Sequence, residues 1–176
     1  MSTSLPLILI VGGARSGKSS YGETISLTLP PPRRYLATAE RIDEEMESRI
    51  AIHRRQREGR FNGTVEEPLH PGRVIASARG GMIHLDCLTV FLGNLMHHAG
   101  IQDSYEQLEE LYSALENRKV PLVVISNLVG EGIVPADRIS RVYRDMHGLM
   151  NQRVASMATT VVRMTCGLPQ VLKGSL

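Results

Sequence analysis

The chain of 176 residues has the length of one ordinary domain, and its hydrophobic content of 42% is enough to bury a substantial core. Twenty Lys and Arg stand against 18 Asp and Glu, and the formal charge of +2 excludes a strong general attraction to nucleic acid or to a membrane surface. With no Trp, two Phe and five Tyr, the chain is also poor in the rings that stack on single-stranded nucleic acid.

Cysteine usage and the amino-terminal apolar run both bear on the compartment. Cys87 and Cys166 are far apart and form no CxxC pair, so a zinc knuckle and a disulfide scaffold are not indicated. The run from Leu5 to Val11 lacks a basic segment before it, contains Pro6 and continues into glycines, which is typical of neither a signal peptide nor a membrane span. We therefore expect a cytoplasmic protein without a membrane span, in a single domain over residues 1–176.

Apolar runs alternate with longer amphipathic segments along the chain. The strand patterns cover residues 7–11, 35–37, 82–86, 121–126 and 160–164, and the helical patterns cover 17–29, 43–58, 90–98, 105–117 and 136–157. Residues 59–79 are rich in Gly, Pro and charge, with one possible short apolar element at 74–76. This alternation predicts an α/β fold with a mostly parallel sheet and helices on both of its faces.

The segment GGARSGKS matches the phosphate-binding pattern GxxxxGK[ST] and lies between a predicted strand and a predicted helix. Backbone amides of such a loop and of the helix amino terminus form a concave anion site. Lys18 is expected to reach the terminal phosphates and Ser19 to hold Mg²⁺. The alternative is a glycine-rich turn without a ligand. The nucleotide-binding residues predicted here are Gly12, Gly13, Ala14, Arg15, Ser16, Gly17, Lys18 and Ser19.

Asp86 ends the predicted strand 82–86 and is the candidate carboxylate that orients the magnesium ion. A cap for the following helix is the alternative role. His84 shares the strand face with Asp86, but a lone strand histidine is more often a satisfied core group than a catalyst, and it is left unassigned.

On the predicted helix 43–58, residues Met46, Ile50, His53 and Arg57 share one face, which is apolar before it becomes basic. Arg54, Arg55, Arg57 and Arg60 surround His53 with positive charge, which could bind nucleotide phosphates or keep the imidazole neutral and nucleophilic. Spacing alone favours a histidine satisfied at a core boundary, with the arginines as a solvated face. From the pattern, both interpretations remain open.

Several further segments point to one family. They read YLATA from Tyr35, DEEMESRIAIHRRQR from Asp43, TVEEP from Thr64, DCLT from Asp86, SNLVGEGIVP from Ser126, RVYRDMHGLMNQ from Arg141 and GLPQVLK from Gly167. Together with the phosphate-binding loop, and in this order, they resemble the bifunctional adenosylcobinamide kinase/adenosylcobinamide-phosphate guanylyltransferases of cobalamin biosynthesis. The resemblance spans nearly the whole chain.

The resemblance implies a RecA-like P-loop NTPase fold. It also implies that the protein uses ATP and GTP together with Mg²⁺, and that its small-molecule substrate is adenosylcobinamide. It implies phosphorylation of the aminopropanol hydroxyl, then transfer of GMP from GTP to that phosphate through a guanylyl-histidine at His53. It further implies homo-oligomers, expected as trimers. Beyond the phosphate-binding loop, the nucleotide contacts that it implies are Ala37, Thr38, Ala39, Arg54, Arg55, Gln56, Arg57, Glu66 and Asp86.

The chain departs from the family pattern at three places, one of which is an extra residue between Phe61 and Thr64. Leu128 replaces a carboxylate in the segment that usually reads SNEVG, while Glu131 follows three positions later, and we hypothesise that guanylyl transfer is weakened. Phe61 stands where Trp is usual. The rival interpretations are a monofunctional small-molecule P-loop kinase with a structural His53, and a nucleotide-dependent switch. The switch would need a guanine-recognising NKxD motif, which the sequence lacks.

Overall fold

The computed structural model describes residues 5–41 and 44–176. Five side chains of one helix also lie outside this description, those of Glu45, Met46, Arg49, His53 and Gln56. Asp43, the expected first residue of that helix, is outside it too. The described chain contains a single sheet of seven strands together with six helices.

The elements alternate as expected. The strands are β1 (Leu7–Gly12), β2 (Arg33–Ala37), β3 (Gly63–Glu66), β4 (Met82–Asp86), β5 (Leu122–Asn127), β6 (Thr160–Thr165) and β7 (Leu168–Lys173). The helices are α1 (Lys18–Thr28), α2 (Glu44–Gln56), α3 (Pro71–Ser77), α4 (Leu88–Ala99), α5 (Glu106–Glu116) and α6 (Arg138–Met157). Within the described residues, no helix has both the length and the apolar character to cross a lipid bilayer.

The strand order is β3-β2-β4-β5-β1-β6-β7, and every pairing except β6 with β7 is parallel. The prediction of a mostly parallel sheet is confirmed. One strand, β5, lies between β1, which leads into the phosphate-binding loop, and β4, which ends on Asp86. This arrangement is the RecA-like one. The carboxyl ends of these three strands meet at one edge, where Gly12 is in register with Asn127.

Both faces of the sheet are covered, which explains why β1 is a continuous apolar run. Leu7, Leu9 and Val11 belong to the larger core, which also contains buried residues of α3, α4, α5 and α6. Ile8 and Ile10 point to the other face, where side chains of α1 pack. A strand buried on both faces loses the alternation of apolar and polar residues that a half-exposed strand shows.

The structure shows which elements are formed by residues 59–79, for which the sequence pattern predicts no clear strand or helix. Residues 63–66 form β3, and the short apolar element at 74–76 is part of α3. Gly72 lets α3 approach α5, because a Cβ on this residue would lie 2.8 Å from the carbonyl carbon of Glu110. Both elements are short, and β3 is exposed along its whole length, so neither carries a clear hydrophobic period.

The last strand predicted from the sequence is 160–164, and the structure adds one more strand, β7, after it. Cys166 and Gly167 form a two-residue hairpin with φ angles of 52° and 80°, and β7 returns antiparallel beside β6. Positive φ at both central residues is the signature of a type I′ turn. The Cys-Gly pair is not the usual Asn-Gly signal, and Pro169 is tolerated because β7 is the edge strand.

Candidate nucleotide-binding and catalytic site

The loop between β1 and α1 is a concave turn built on two unusual backbone conformations. Arg15 has φ 56°, and Gly17, the residue before α1, has φ 91°. Gly12 is in close contact with its surroundings, since a Cβ there would lie 2.5 Å from Ser16 Oγ and 2.8 Å from the carbonyl oxygen of Met164. The loop therefore has the glycine-dependent shape that a phosphate cradle requires.

Lys18 begins α1 and points back over this loop. Its Nζ donates to the carbonyl oxygen of Gly13 at 3.0 Å. Burial lowers the pKa of Lys18, and the nearby Cys87 and Asp86 act in the opposite direction. Ser16 Oγ is buried and has no hydrogen-bond partner in the described structure. An ammonium group and an unpaired hydroxyl in one loop suit a bound oxyanion.

Asp86 lies at the end of β4 and is half-buried. Its Oδ2 accepts a hydrogen bond of 2.5 Å from the hydroxyl of Tyr35 on the neighbouring strand β2. The alternative role as a helix cap is not observed, because α4 starts after Cys87 without a side-chain cap. Asp86 is therefore held from β2 at the strand edge that carries the phosphate-binding loop.

The donors available for a metal ion here are a carboxylate on Asp86 and a hydroxyl on Ser19. Across residues 5–41 and 44–176, no three His, Cys, Asp or Glu side chains form a cluster able to hold a metal by themselves. A hard-oxygen set that is completed by substrate phosphates and water is the usual environment of Mg²⁺. The residues present thus fit magnesium bound together with a nucleotide.

The segment after β2 ties the strand ends together. Thr38 is fully buried; its Oγ1 donates to the carbonyl of Cys87 at 2.8 Å and accepts from the amide of Cys87 at 2.9 Å. Its carbonyl accepts from Asn94 Nδ2 at 2.7 Å. The hydroxyl of Thr38 is therefore committed to the protein, whereas Ala37 and Ala39 are half-buried on either side. Thr38 fixes the backbone beside Asp86.

The basic end of α2 and the turn that follows it are attached to the sheet and to α1. Arg57 is only 7% exposed, and its guanidinium carbon lies 3.9 Å from the centroid of the Tyr35 ring. Arg60 Nη1 lies 2.7 Å from Oε2 of Glu23, a residue of α1 that is 5% exposed. Both contacts connect the end of the helix that carries His53 to the neighbourhood of the cradle.

The other two arginines are exposed, and one of them pairs with the edge strand. Arg54 forms a hydrogen-bonded ion pair with Glu66 at the end of β3, and Arg41 lies 3.8 Å from the same carboxylate. An open cavity of about 500 Å³ lies beside them. Its lining comprises Arg54, Arg55, Arg57, Glu58, Gly59, Phe61, Gly63 and Thr64.

The structure brings Lys18 of the predicted loop, Asp86 and the 37–39 segment to the same edge of the sheet. Arg54 and Arg55 instead line the cavity beside β3, whose lining includes no described residue of the loop 12–19. His53 and Gln56 lie on α2, but their side chains are outside the described part, so the predicted inward orientation of His53 stays a prediction. His84 is fully buried, as expected of a core group, and its Nδ1 lies 2.9 Å from Ser26 Oγ.

Sequence reasoning missed Tyr35 and Glu23 as members of the site. Tyr35 is two positions before Ala37, so the period of two in a strand places both on the face of Asp86 and gives a usable signal. Nothing in the local pattern of α1 singles out Glu23, because its partner Arg60 is 37 residues away.

The departures from the family pattern also have definite positions. Leu128 packs against the larger core as a partly buried side chain, and its amide donates to the carbonyl of Gly12 at 3.1 Å. Glu131 is paired with Arg163 at 2.9 Å and is 53% exposed. Glu131 is therefore already engaged with β6.

Comparison with known proteins identifies the family. The family model described as cobinamide kinase/cobinamide phosphate guanyltransferase matches residues 8–172. The chain belongs to this family. It is a bifunctional kinase and guanylyltransferase of cobalamin biosynthesis, which uses nucleoside triphosphates and a corrinoid substrate. Membership decides against the monofunctional kinase and the switch.

Individual relatives agree over almost their whole length. The chain is 37% identical to the bifunctional adenosylcobalamin biosynthesis protein CobP of Pseudomonas aeruginosa, covering 94% of this chain and 96% of that protein. It is 32% identical to the protein CobU of Salmonella typhimurium, covering 95% and 99%. A solved structure from Pyrococcus horikoshii shares the fold with a TM-score of 0.56 at 8% identity, covering 97% of this chain and 87% of that one.

Proposed function

We propose that both reactions run in one catalytic domain, with the loop 12–19 as the triphosphate cradle and His53 as the residue that carries GMP between donor and acceptor. The proposal is supported above all by the attachment of α2 to the cradle region, through Arg57 on Tyr35 and Arg60 on Glu23. These contacts tie the turn after the nucleophile helix to β2, which pairs with the strand ending on Asp86, and to α1, which follows the phosphate-binding loop.

Guanylyl transfer would proceed in two displacements at the α-phosphorus of GTP. In the first, a neutral imidazole nitrogen of His53 attacks, the bond to the bridging oxygen breaks and pyrophosphate leaves. In the second, a phosphate oxygen of adenosylcobinamide phosphate attacks, the phosphorus–nitrogen bond breaks and the imidazole is restored. The exposed Arg54 and Arg55 lie beside the cavity and supply positive charge for the phosphate groups.

The kinase step needs fewer groups. The substrate hydroxyl attacks the γ-phosphorus, the bond to the β–γ bridging oxygen breaks, and the hydroxyl proton is released. Phosphoryl transfer depends mainly on positioning and on neutralising charge. Lys18 and the amides of the loop bind the phosphates, and ATP or GTP can occupy the cradle because its contacts are to phosphate and not to the base.

Ser19 and Asp86 are the residues that would hold Mg²⁺. The ion supplies a Lewis acid that neutralises charge on the phosphate oxygens. Thr38 keeps the backbone of Asp86 in place through its amide, which donates to the carbonyl of Asp86 at 3.1 Å.

Labelling tests the covalent step. The enzyme is incubated with GTP labelled at the α-phosphate and precipitated; we expect a label that is sensitive to acid and hydroxylamine, as a phosphoramidate is. It should be absent in His53→Ala and with GTP labelled only at the γ-phosphate. His97→Ala, an exposed position of α4, is the matched control and should retain it. A label that persists in His53→Ala would refute the assignment.

The kinase half-reaction gives the second control in the same experiment. His53→Ala should still phosphorylate adenosylcobinamide, because the cradle does not depend on the imidazole. Lys18→Ala should lose both activities and bind GTP more weakly. Loss of the kinase rate in His53→Ala as well would point to a damaged fold, which thermal unfolding would reveal.

We also propose that the protein assembles as a homo-oligomer, expected as a trimer. Large apolar side chains are exposed on the segment before α6, on α6 itself and on the edge strand β7. These are Ile133, Val134, Ile139, Leu149, Leu168, Val171 and Leu172, and Ile133 is 97% exposed. Such surfaces are typical of protein interfaces. Light scattering during size exclusion measures the mass, and a monomer at micromolar concentration would contradict the proposal.

A further inference from the structure

Tyr35 occupies the junction between β2, β4 and the end of α2. Its hydroxyl donates to Asp86 Oδ2 at 2.5 Å. Among the described residues the hydrogen bond from Tyr35 is made to Oδ2, and it leaves the other carboxylate oxygen, Oδ1, for a further ligand. The tyrosine itself is 3% exposed.

The ring of Tyr35 is held on several sides, so its hydroxyl has little freedom. His84 stacks on it with a centroid distance of 5.0 Å and an interplanar angle of 18°. Phe61 meets it edge-on at 5.1 Å, and the Arg57 guanidinium lies 3.9 Å from its centroid. A donor fixed in this way can impose an orientation on the group that accepts from it.

The direction of this hydrogen bond follows from the two groups. A carboxylate oxygen has no proton to give, so the hydroxyl of Tyr35 is the donor and Asp86 is the acceptor.

We propose that Tyr35 is a positioning residue, which orients the Asp86 carboxylate for magnesium through its hydroxyl. The inference rests on the proposed function in one respect, the assignment of Asp86 to the metal. It goes beyond that function because it gives a role to a side chain to which the proposed function assigns none. The same ring touches Arg57, so the tyrosine also links the metal carboxylate to the helix that carries His53.

Calorimetric titration with GTP, in Mg²⁺ and in EDTA, tests the proposal without relying on turnover. The measured quantity is the factor by which Mg²⁺ strengthens GTP binding. Tyr35→Phe keeps the ring and removes only the hydroxyl, and it should lower this factor about fivefold or more while the affinity in EDTA stays unchanged. Asp86→Ala should lower the factor further. Tyr35→Phe should add nothing in the Asp86→Ala background, because the hydroxyl acts through that carboxylate.

Tyr112→Phe is the matched control. Tyr112 is also buried, and Arg153 lies 4.4 Å from its ring centroid, but it belongs to α5 on the other face of the sheet. The factor by which Mg²⁺ strengthens GTP binding should be the same in Tyr112→Phe as in the wild type.

The possible failures are distinct. An unchanged factor in Tyr35→Phe, with a lowered one in Asp86→Ala, overturns the positioning role and leaves the metal assignment intact. Unchanged factors in both variants overturn the two together. An equal loss of affinity in Mg²⁺ and in EDTA shows a structural role only and also overturns the proposal.

Discussion

The first glycine of the phosphate-binding loop should be intolerant of a methyl group, whereas the second should accept one. In Gly12→Ala the new Cβ would lie 2.8 Å from the backbone oxygen of Met164, in the neighbouring strand β6, and 2.5 Å from Ser16 Oγ. The serine can rotate, but the strand cannot move away without disturbing its pairing with β1. We expect the free energy of unfolding to fall by about 1–3 kcal/mol, the usual cost of overpacking.

Gly13→Ala is the control within the same loop. A Cβ there meets no atom within 4 Å, and the φ of Gly13 is not in the positive region. The unfolded chain loses freedom, so the free energy of unfolding should stay equal or rise by up to about 1 kcal/mol.

Urea unfolding of both variants, with titration of a fluorescent GTP analogue, provides the measurement. Because the clash in Gly12→Ala displaces the cradle, its GTP affinity should fall about tenfold or more, as expected when one charge-assisted hydrogen bond is lost. Equal stabilities for Gly12→Ala and Gly13→Ala would refute the argument from close contact.

Three further predictions concern single side chains. Arg60→Ala leaves the buried Glu23 carboxylate without this partner and should lower the free energy of unfolding by about 1–3 kcal/mol. Adding Glu23→Gln to the Arg60→Ala variant should recover part of that loss. An unchanged free energy of unfolding in urea for Arg60→Ala would contradict the prediction. Burial lowers the pKa of His147 to about 4, below the value in the unfolded chain. The contribution of this residue to stability is therefore complete above about pH 6.5, and the free energy of unfolding should decline by up to about 3 kcal/mol as the pH falls towards 4. His147→Gln should make the free energy of unfolding depend less on pH, and an unchanged pH dependence in this variant would contradict the prediction. Leu128→Glu removes a contact with the larger core and should lower the free energy of unfolding by about 1–2 kcal/mol. The hypothesis of weakened guanylyl transfer predicts that this variant transfers GMP faster than the wild type when the two half-reactions are assayed separately. An unchanged rate of guanylyl transfer would contradict that hypothesis.

The segments with strong local signals were predictable from the sequence. The run of β1, the loop that follows and the strand ending on Asp86 each combine a hydrophobic period with a recognisable boundary, and together they gave the parallel sheet and the cradle. The segments 63–66 and 168–173 lack such a period, since both strands are exposed at the sheet edges. Edge strands are specified by pairing with a neighbour, which a local pattern does not contain.

The sequence by itself therefore determined the family, the P-loop and the candidate nucleophile, because motifs of fixed spacing carry that information. Only the tertiary structure decided how Asp86 is held and how the basic end of α2 is attached. The bond from Tyr35 to Asp86 joins residues 51 positions apart, and the pair of Arg60 with Glu23 joins residues 37 apart. Contacts of this kind depend on the order of strands in the sheet and on the packing of helices over it, which only the folded chain defines.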